Sequence, residues 1–170
     1  KPLISKELFD LVQETRGVNK GVWGSKTFAF RGLLKCGRCT ADITAQDKFK
    51  TLKNGDVKRF VYYNCTRRKD PNCAEKYVNE ERLCELMQGF IEKHHEDIKI
   101  TEKLRARVDK HFYTTKTILT HYKIDQKLDN PFIEYARYVL ADGTDSERTF
   151  LASNMGPMLQ IKDGELELYR

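Results

Sequence analysis

Four cysteines constrain the fold of this 170-residue chain more than any other feature of its sequence. Cys36 and Cys39 form a Cys-x2-Cys pair, twenty-five residues follow, and Cys65 and Cys73 form a second pair with a seven-residue spacer. A two-residue spacer lets one tight turn direct both thiolates at a single ion, and zinc binds four such ligands tetrahedrally. We therefore predict one zinc site built from these four residues, with disulfides or free thiols as the alternatives.

The remaining cysteine, Cys84, lies at the flank of an apolar helical stripe, where a buried thiol packs as a small hydrophobe. Five cysteines are an odd number, and no signal-peptide pattern opens the sequence. Metal binding is therefore favoured over a disulfide framework, and we expect a reducing, cytoplasmic compartment. Because four thiolates leave no position for an activated water, we expect the zinc site to be structural rather than catalytic.

Local patterns predict a β-ribbon around the cysteines. Apolar residues fill Phe28–Leu34, a second strand continues through Ala41–Ala45, and Asn54-Gly55 separates Phe49–Leu52 from Val57–Cys65. Asn-Gly is a strong hairpin signal because both turn positions need positive φ. Such a hairpin would return the chain to the third ligand, which is the layout of a zinc ribbon.

The residues on either side of this ribbon read mostly as helices. The N-terminal Pro2–Gln13 has a helical pattern, and a glycine-rich basic stretch without periodicity follows it. After the ribbon we predict four helices and a final hairpin. They are a helix capped by Asn79, one from Thr101 to Tyr122, one from Pro131 to Leu140, one capped by Ser146, and strands Met158–Ile161 and Glu165–Leu168 turned by Asp163-Gly164.

The charge of the chain is concentrated on the cysteine-bearing segment. Residues 16–76 carry fifteen Lys and Arg against five Asp and Glu, a balance of +10, whereas the whole chain has a net charge of +6. Such a concentration is typical of proteins that bind a polyanion, although a solvated lysine-rich surface is the alternative. No apolar run approaches the roughly 20 residues needed to cross a bilayer, so we expect no membrane partner. The chain begins at Lys1 rather than at a methionine, and we read it as a fragment of a longer protein.

Several motifs resemble one known family. Phe28–Cys39, FAFRGLLKCGRC, resembles the opening of the recombinase zinc beta-ribbon domain of the large serine recombinases, the phage and transposon integrases. Pro2–Asp10 resembles the end of the helical recombinase domain of that family, Tyr62–Arg68 its aromatic third-ligand strand, and Lys162–Leu166 its C-terminal hairpin. The family inserts a coiled-coil arm between ribbon and hairpin. One departure is Thr40, where a glycine usually follows the second cysteine.

The resemblance implies an α+β fold: a zinc beta-ribbon with a helical, coiled-coil-like insertion and a C-terminal β-hairpin. It divides the chain into five parts. These are a terminal helix of a truncated recombinase domain (1–15), a basic linker (16–27), the zinc ribbon (28–78), the helical insertion (79–145), and a helix and hairpin that complete the ribbon domain (146–170).

The family places its serine nucleophile in an N-terminal catalytic domain, so we assign no catalytic residue here and expect the parent chain to be a serine site-specific DNA recombinase. This part would recognise the attachment or recombination site in double-stranded DNA, with self-association through the insertion as a further expectation for the full-length protein. Candidate DNA contacts are Arg16, Lys20, Lys26, Lys35, Arg38, Lys48, Lys50, Lys53, Lys58, Arg59, Arg67, Arg68 and Lys69.

Two alternatives stay open. A tetrathiolate zinc site carries a formal charge of −2, and Lys35, Arg38, Arg67 and Arg68 could offset that charge instead of contacting DNA. The ribbon could also belong to another nucleic-acid machine, such as a transposase or an RNA factor, or be a structural zinc module that binds protein through its helices.

Overall fold

The computed structural model describes Ser5, residues 26–156 and residues 158–169. Apart from Ser5, the predicted N-terminal helix lies outside these residues, as do two candidate DNA contacts, Arg16 and Lys20. The elements follow in the order β1 (Leu34–Cys36), β2 (Ile43–Thr51), β3 (Val57–Cys65), β4 (Val78–Asn79), α1 (Glu80–His94), α2 (Glu102–His121), α3 (Pro131–Asp142), α4 (Asp145–Ser153), β5 (Leu159–Lys162) and β6 (Glu165–Leu168). The mixed α+β class is confirmed.

The predicted Asn54-Gly55 hairpin forms and joins the two longest strands. Strands β2 and β3 pair antiparallel from Ile43 opposite Cys65 to Thr51 opposite Val57, and β4 adds to the other edge of β3. Gly55 has φ of +86°, a conformation that glycine adopts without steric cost. The hairpin therefore carries the chain away from the first cysteine pair and back to Cys65.

The strand predicted over Phe28–Leu34 is wrong for most of its length. The chain makes tight turns there, with the Arg31 N–H donating to the Phe28 carbonyl and the Leu33 N–H to the Phe30 carbonyl. An apolar run alone does not distinguish a strand from a buried turn, and both Ala29 and Phe30 are fully buried. The strand β1 begins only at Leu34.

A second sheet joins the two ends of the described chain. Strand β1 pairs parallel with β5, Leu34 lying opposite Leu159, and β5 pairs antiparallel with β6. The β5–β6 turn has φ of +56° at Asp163 and +81° at Gly164, as the Asp-Gly signal predicts. The final hairpin is thereby held beside the first strand of the ribbon.

Polar caps begin the helices. The side chains of Asn79, Thr101 and Asn130 accept backbone N–H bonds at the starts of α1, α2 and α3. The cap predicted at Ser146 is wrong, because Thr144 caps α4 in a capping box with Glu147. Each partner of that box satisfies a backbone donor of the first turn, which fixes the start two residues earlier.

One hydrophobic core among the described residues connects the ribbon with the helices. It includes Tyr63 from β3, Met87 from α1, Val139 from α3, Leu151 from α4 and Ile161 from β5, all at most 1% exposed. The helical insertion is therefore not an independent body at its base, since its side chains share a core with both sheets. No helix in the described part of the chain is long and apolar enough to cross a membrane.

The long helix α2 joins this core only through its N-terminal half. Leu104 and Val108 are buried, whereas Ile118 is 49% and Tyr122 is 69% exposed. Midway, the His111 ring stacks on Tyr138 at 4.9 Å between centroids. The distal half of the helix therefore presents apolar side chains to solvent.

Candidate metal centre and nucleic-acid interface

The structure brings the four predicted ligands together. The Sγ atoms of Cys36, Cys39, Cys65 and Cys73 lie within 4.8 Å of one another. The Cys36–Cys73 and Cys39–Cys65 sulfur distances are 3.6 and 3.4 Å. A tetrahedral zinc with bonds of about 2.3 Å has sulfur–sulfur edges of about 3.8 Å, so the donor set fits this ion. These separations are far above the roughly 2.05 Å of a disulfide, and all four thiols are free.

The first cysteine pair lies in a tight turn at the end of β1, residues 36–40, which we call the knuckle. Thr40 adopts φ of +59°, and its N–H donates to the Cys36 carbonyl at 2.8 Å. This is the left-handed region in which a β-branched residue is unusual. The position where the family usually has glycine therefore does require a left-handed conformation, and Thr40 adopts it with its hydroxyl 2.8 Å from Lys69 Nζ.

Gly37 contributes a close approach between the knuckle and the C-terminal hairpin. Its N–H donates to the Ile161 carbonyl at 2.7 Å, and a Cβ at this position would lie 2.6 Å from the Cβ of Lys162. No side chain can be accommodated at that distance without a shift of the backbone. The glycine is therefore explained by packing against β5.

The second cysteine pair is held by two local turns. After Cys65, the Arg67 N–H donates to the Cys65 sulfur at 3.2 Å while Arg67 adopts φ of +55°. Before Cys73, the Asp70 carboxylate accepts the Asn72 N–H and the Asp70 carbonyl accepts the Cys73 N–H. The unusually long seven-residue spacer is thus folded into turns that return the fourth thiol to the cluster.

Burial and hydrogen bonds from backbone N–H groups have opposite effects on the pKa values of the cluster thiols. Burial raises the pKa of Cys36 and Cys65 above their ordinary range, and N–H groups of the knuckle and of Arg67 partly oppose it. Burial also raises the pKa of Cys39. Hydrogen bonds from the Ala41 N–H and the neighbouring thiols lower it by more, so the pKa of Cys39 lies below the ordinary value. The N–H groups point at the sulfurs and would stabilise thiolates once a cation is bound.

A buried carboxylate next to the cluster was missed by sequence reasoning. Glu75 is 4% exposed and accepts the N–H groups of Asp163 and Gly164, each at 3.1 Å. Arg38 lies between the two acids, with its Nε 3.4 Å from Glu75 and a hydrogen bond to the Asp163 carboxylate. The partners are far apart in sequence, so no local pattern could have indicated them. Glu75 fastens the C-terminal hairpin to the knuckle.

We expect Glu75→Gln to destabilise the folded chain by about 1–3 kcal/mol, because an amide has one acceptor oxygen where the carboxylate offers two. The free energy of unfolding, measured with denaturant on zinc-loaded protein, checks this value. Glu167→Gln is the matched control, since Glu167 is exposed on β6, and its effect should stay within about 0.5 kcal/mol. Equal stability of both variants would contradict the fastening function of Glu75.

The β2–β3 hairpin carries basic and aromatic side chains on one face. Alternation along paired strands places Lys48 opposite Phe60 and Lys50 opposite Lys58 on the same side of the sheet. The Nζ atoms of Lys50 and Lys58 lie 5.5 and 5.1 Å from the centre of the Phe60 ring, and Lys48 lies 5.8 Å from that of Tyr62. We call these five residues the lysine face.

The other candidate DNA contacts differ in whether they form ion pairs with acidic residues. Lys26 and Arg59 both bind Asp47 on the opposite face of the hairpin. Lys35 pairs with Asp42, which raises the pKa of Lys35. Lys58 pairs with exposed Glu81. Arg38 pairs with Glu75 and Asp163. In the described part of the chain no ion pair engages six exposed candidates. These are Lys48, Lys50, Lys53, Arg67, Arg68 and Lys69, of which Lys69 donates to the Thr40 hydroxyl.

A hairpin fold around four clustered thiols defines a zinc ribbon. Residues 29–91 match the family model of the recombinase zinc beta ribbon domain, so this stretch of the chain is similar to that domain. The resemblance seen in the sequence is confirmed over this range. Zinc is the cofactor that both the family and the thiol cluster indicate. Among the curated proteins none matches the chain significantly.

Two solved structures are similar over wider stretches. One, described as a crystal structure of an LSR–DNA complex, where LSR denotes a large serine recombinase, is 17% identical with a TM-score of 0.43 and covers 99% of this chain and 66% of that chain. The other concerns the sequence requirements of the Listeria innocua prophage attP site and is 24% identical with a TM-score of 0.33, covering 55% of this chain and 43% of that chain. The chain thus spans less than two thirds of both solved chains.

Proposed function

We propose that this chain is the DNA-binding part of a serine site-specific recombinase, in which Cys36, Cys39, Cys65 and Cys73 hold one structural zinc ion. The closed shell of four thiols supports a structural assignment, because it leaves no coordination position for a reacting water. We propose no catalytic residue among these 170. Strand cleavage and rejoining would belong to a separate catalytic domain of the full-length protein.

The observation that carries the proposal is the lysine face. Three lysines surround two aromatic rings on an exposed strand pair, and a two-stranded ribbon fits the major groove of duplex DNA. Phosphate contacts from such lysines supply affinity, whereas side chains that reach base edges supply sequence choice. Gln46 lies opposite Tyr62 on the same side of the sheet and carries the amide group that reads adenine.

The domain organisation follows from this proposal. Residues 1–15 would end the preceding recombinase domain, 16–27 would be the basic linker, and 28–78 the zinc ribbon. Residues 79–145 would form the arm, and 146–170 would complete the ribbon domain through the β1–β5 pairing. The partner is double-stranded DNA carrying the attachment or recombination site.

Binding to a duplex at several salt concentrations tests the proposal. If five to seven phosphates are neutralised, the logarithm of affinity falls with the logarithm of salt at a slope of roughly −5 to −6. Failure to bind any duplex at low salt, with zinc content intact, would rule out the DNA-binding function. It would favour a zinc module that binds protein through its helices.

Arg67 and Arg68 lie two and three residues after the third ligand and are both exposed, so the metal would fix the backbone from which they extend. We expect replacement of both by alanine to weaken duplex binding by about 1–3 kcal/mol and to flatten the salt slope. Zinc content is measured in parallel. If the two arginines only offset the cluster charge, the variant would instead lose zinc affinity and keep its salt slope.

Exposed apolar residues at the C-terminal end of α2 favour a second binding surface, for protein rather than DNA. Tyr113 and Ile118 in α2, Tyr122 at its C-cap and Ile124 just after it are 67, 49, 69 and 52% exposed. Apolar side chains grouped on one helix end mark a protein-binding surface. We propose that this end mediates self-association in the full-length protein, with DNA binding as the function of the ribbon.

A further inference from the structure

The five cysteines differ in how far solvent reaches them. Cys36, Cys65, Cys73 and Cys84 are buried, at 0, 3, 4 and 9% exposure, whereas Cys39 is half-buried. Fewer atoms also surround the sulfur of Cys39 than the sulfurs of Cys36 and Cys65. A dissolved reagent therefore reaches Cys39 before the other four thiols.

One cluster thiol lies directly beside Cys39. The Sγ atom of Cys65 is 3.4 Å from that of Cys39, and the two sulfurs would have to approach by about 1.4 Å to form a disulfide. The other close pair, Cys36 and Cys73 at 3.6 Å, is buried on both sides. Cysteines that sense oxidants combine solvent access with a neighbouring thiol that can close a disulfide, and Cys39 has both properties.

From these observations we infer that Cys39 is an oxidative modification site: a hydroperoxide oxidises Cys39 first, and Cys65 then closes a disulfide with it, which releases the zinc ion. The inference rests on the proposed zinc site and is independent of DNA binding. It gives the cluster a regulatory property in addition to its structural one, because the presence of the metal would then depend on the oxidation state of one thiol.

The chemistry has two steps. In the first, the Cys39 sulfur attacks hydrogen peroxide, an S–O bond forms, the O–O bond breaks, and the leaving hydroxide takes a proton from water. The sulfur is oxidised by two electrons to a sulfenic acid. In the second, the Cys65 sulfur attacks the Cys39 sulfur, the S–S bond forms, the S–O bond breaks, and the hydroxyl group leaves with a proton as water. In total, two thiolates, one peroxide and two protons give one disulfide and two waters.

The disulfide would remove one ligand from each cysteine pair. Cys36 and Cys73 alone cannot complete the tetrahedral shell of a structural zinc, so the ion should be lost. Cys73 lies two residues before Glu75, whose carboxylate holds the turn of the C-terminal hairpin at Asp163. Oxidation should therefore loosen that hairpin as well. A disulfide can be reduced again by thiols, so added reductant and zinc should restore the folded ribbon.

Zinc release by hydrogen peroxide, followed with a chromogenic chelator, tests the inference on zinc-loaded protein. Cys39→His and Cys73→His are matched variants, because each leaves three cysteines and one histidine, a ligand set that also holds structural zinc. We expect Cys39→His to release zinc at least about tenfold more slowly than the parent, since it lacks the accessible thiolate. Cys73→His keeps that thiolate and should stay within about threefold of the parent rate.

Mass spectrometry of the parent chain gives a second, independent readout. A sulfenic-acid trap added with the peroxide should label Cys39 before any other cysteine, and without the trap the first disulfide should join Cys39 to Cys65. Equal release rates for the parent and Cys39→His, or a first disulfide that lacks Cys39, would overturn the inference. If a histidine variant fails to hold zinc, the labelling of the parent decides. A parent chain purified without zinc would instead contradict the zinc site, and the order of labelling would still decide whether Cys39 is the modification site.

Discussion

Replacing Cys36 or Cys65 by serine is expected to abolish zinc binding and unfold the ribbon. Binding of a structural zinc contributes roughly 10–16 kcal/mol in small zinc domains, which is comparable with the roughly 5–15 kcal/mol total stability of a domain. Protein purified without added metal should contain about one equivalent of zinc, and each variant should contain none. Elemental analysis gives the metal content, and circular dichroism gives the loss of ordered structure.

Cys84→Ser is the control for this result. Cys84 lies in α1 and is not one of the four clustered thiols, so its sulfur cannot share their ion. The variant should therefore keep one equivalent of zinc. A stoichiometric Cys36–Cys39 or Cys65–Cys73 disulfide in freshly purified protein would contradict the zinc assignment.

The unfolding caused by loss of zinc should extend beyond the segments that carry the ligands. The knuckle holds the C-terminal hairpin through the Gly37–Ile161 hydrogen bond and through the bonds of Glu75 to the turn at Asp163. Both contacts depend on segments that the metal fixes. Because zinc must displace protons from Cys36 and Cys65, whose pKa values burial raises, its affinity should fall as the pH falls.

The parts of this fold that could be predicted from the sequence are those set by nearby residues. The Asn54-Gly55 and Asp163-Gly164 turns need positive φ, and the residues that provide it are adjacent in the chain. The caps of α1 and α2 likewise involve residues three positions apart. The thiol cluster could be predicted because zinc restricts the number and type of its ligands.

The parts that could not be predicted depend on distant partners. The Phe28–Leu34 segment is as apolar as a strand, but the turn at Gly32, with φ of +75°, and the Tyr63 hydroxyl decide its conformation. Glu75 has no local signal, since its N–H donors lie 88 and 89 residues away. The parallel β1–β5 pairing is equally remote in sequence.

The candidate DNA contacts illustrate the same limit. Composition marks Lys50 and Arg59 as equivalent basic residues, and strand alternation places them on opposite faces of the hairpin. Only the folded chain shows that Arg59 pairs with Asp47 and Asp145, whereas Lys50 lies against an aromatic ring. The structure thus separates the lysine face from Arg59 within a basic segment that composition treats as uniform.

Replacing Lys48, Lys50 and Lys58 together by glutamine is expected to reduce duplex binding strongly. If each lysine contacts one phosphate, the salt slope should become less steep by about 2.7, since each neutralised phosphate contributes about 0.9. Over the tenfold range from 1 M to 0.1 M salt, that change corresponds to roughly 500-fold weaker binding at 0.1 M. Titrations of a fluorescent duplex at four or more salt concentrations measure both quantities.

The matched control changes Lys103, Lys110 and Lys116 to glutamine. These lysines are exposed on α2, and both triple variants lower the net charge from +6 to +3. Exposed charges more than about 10 Å from the duplex are largely screened at 0.1 M salt, so the control should keep the parent slope. If the salt slope becomes less steep by the same amount in both triple variants, net charge alone determines binding and the hairpin is not the contact surface. If only the control loses slope, the helix α2 rather than the lysine face lies against DNA.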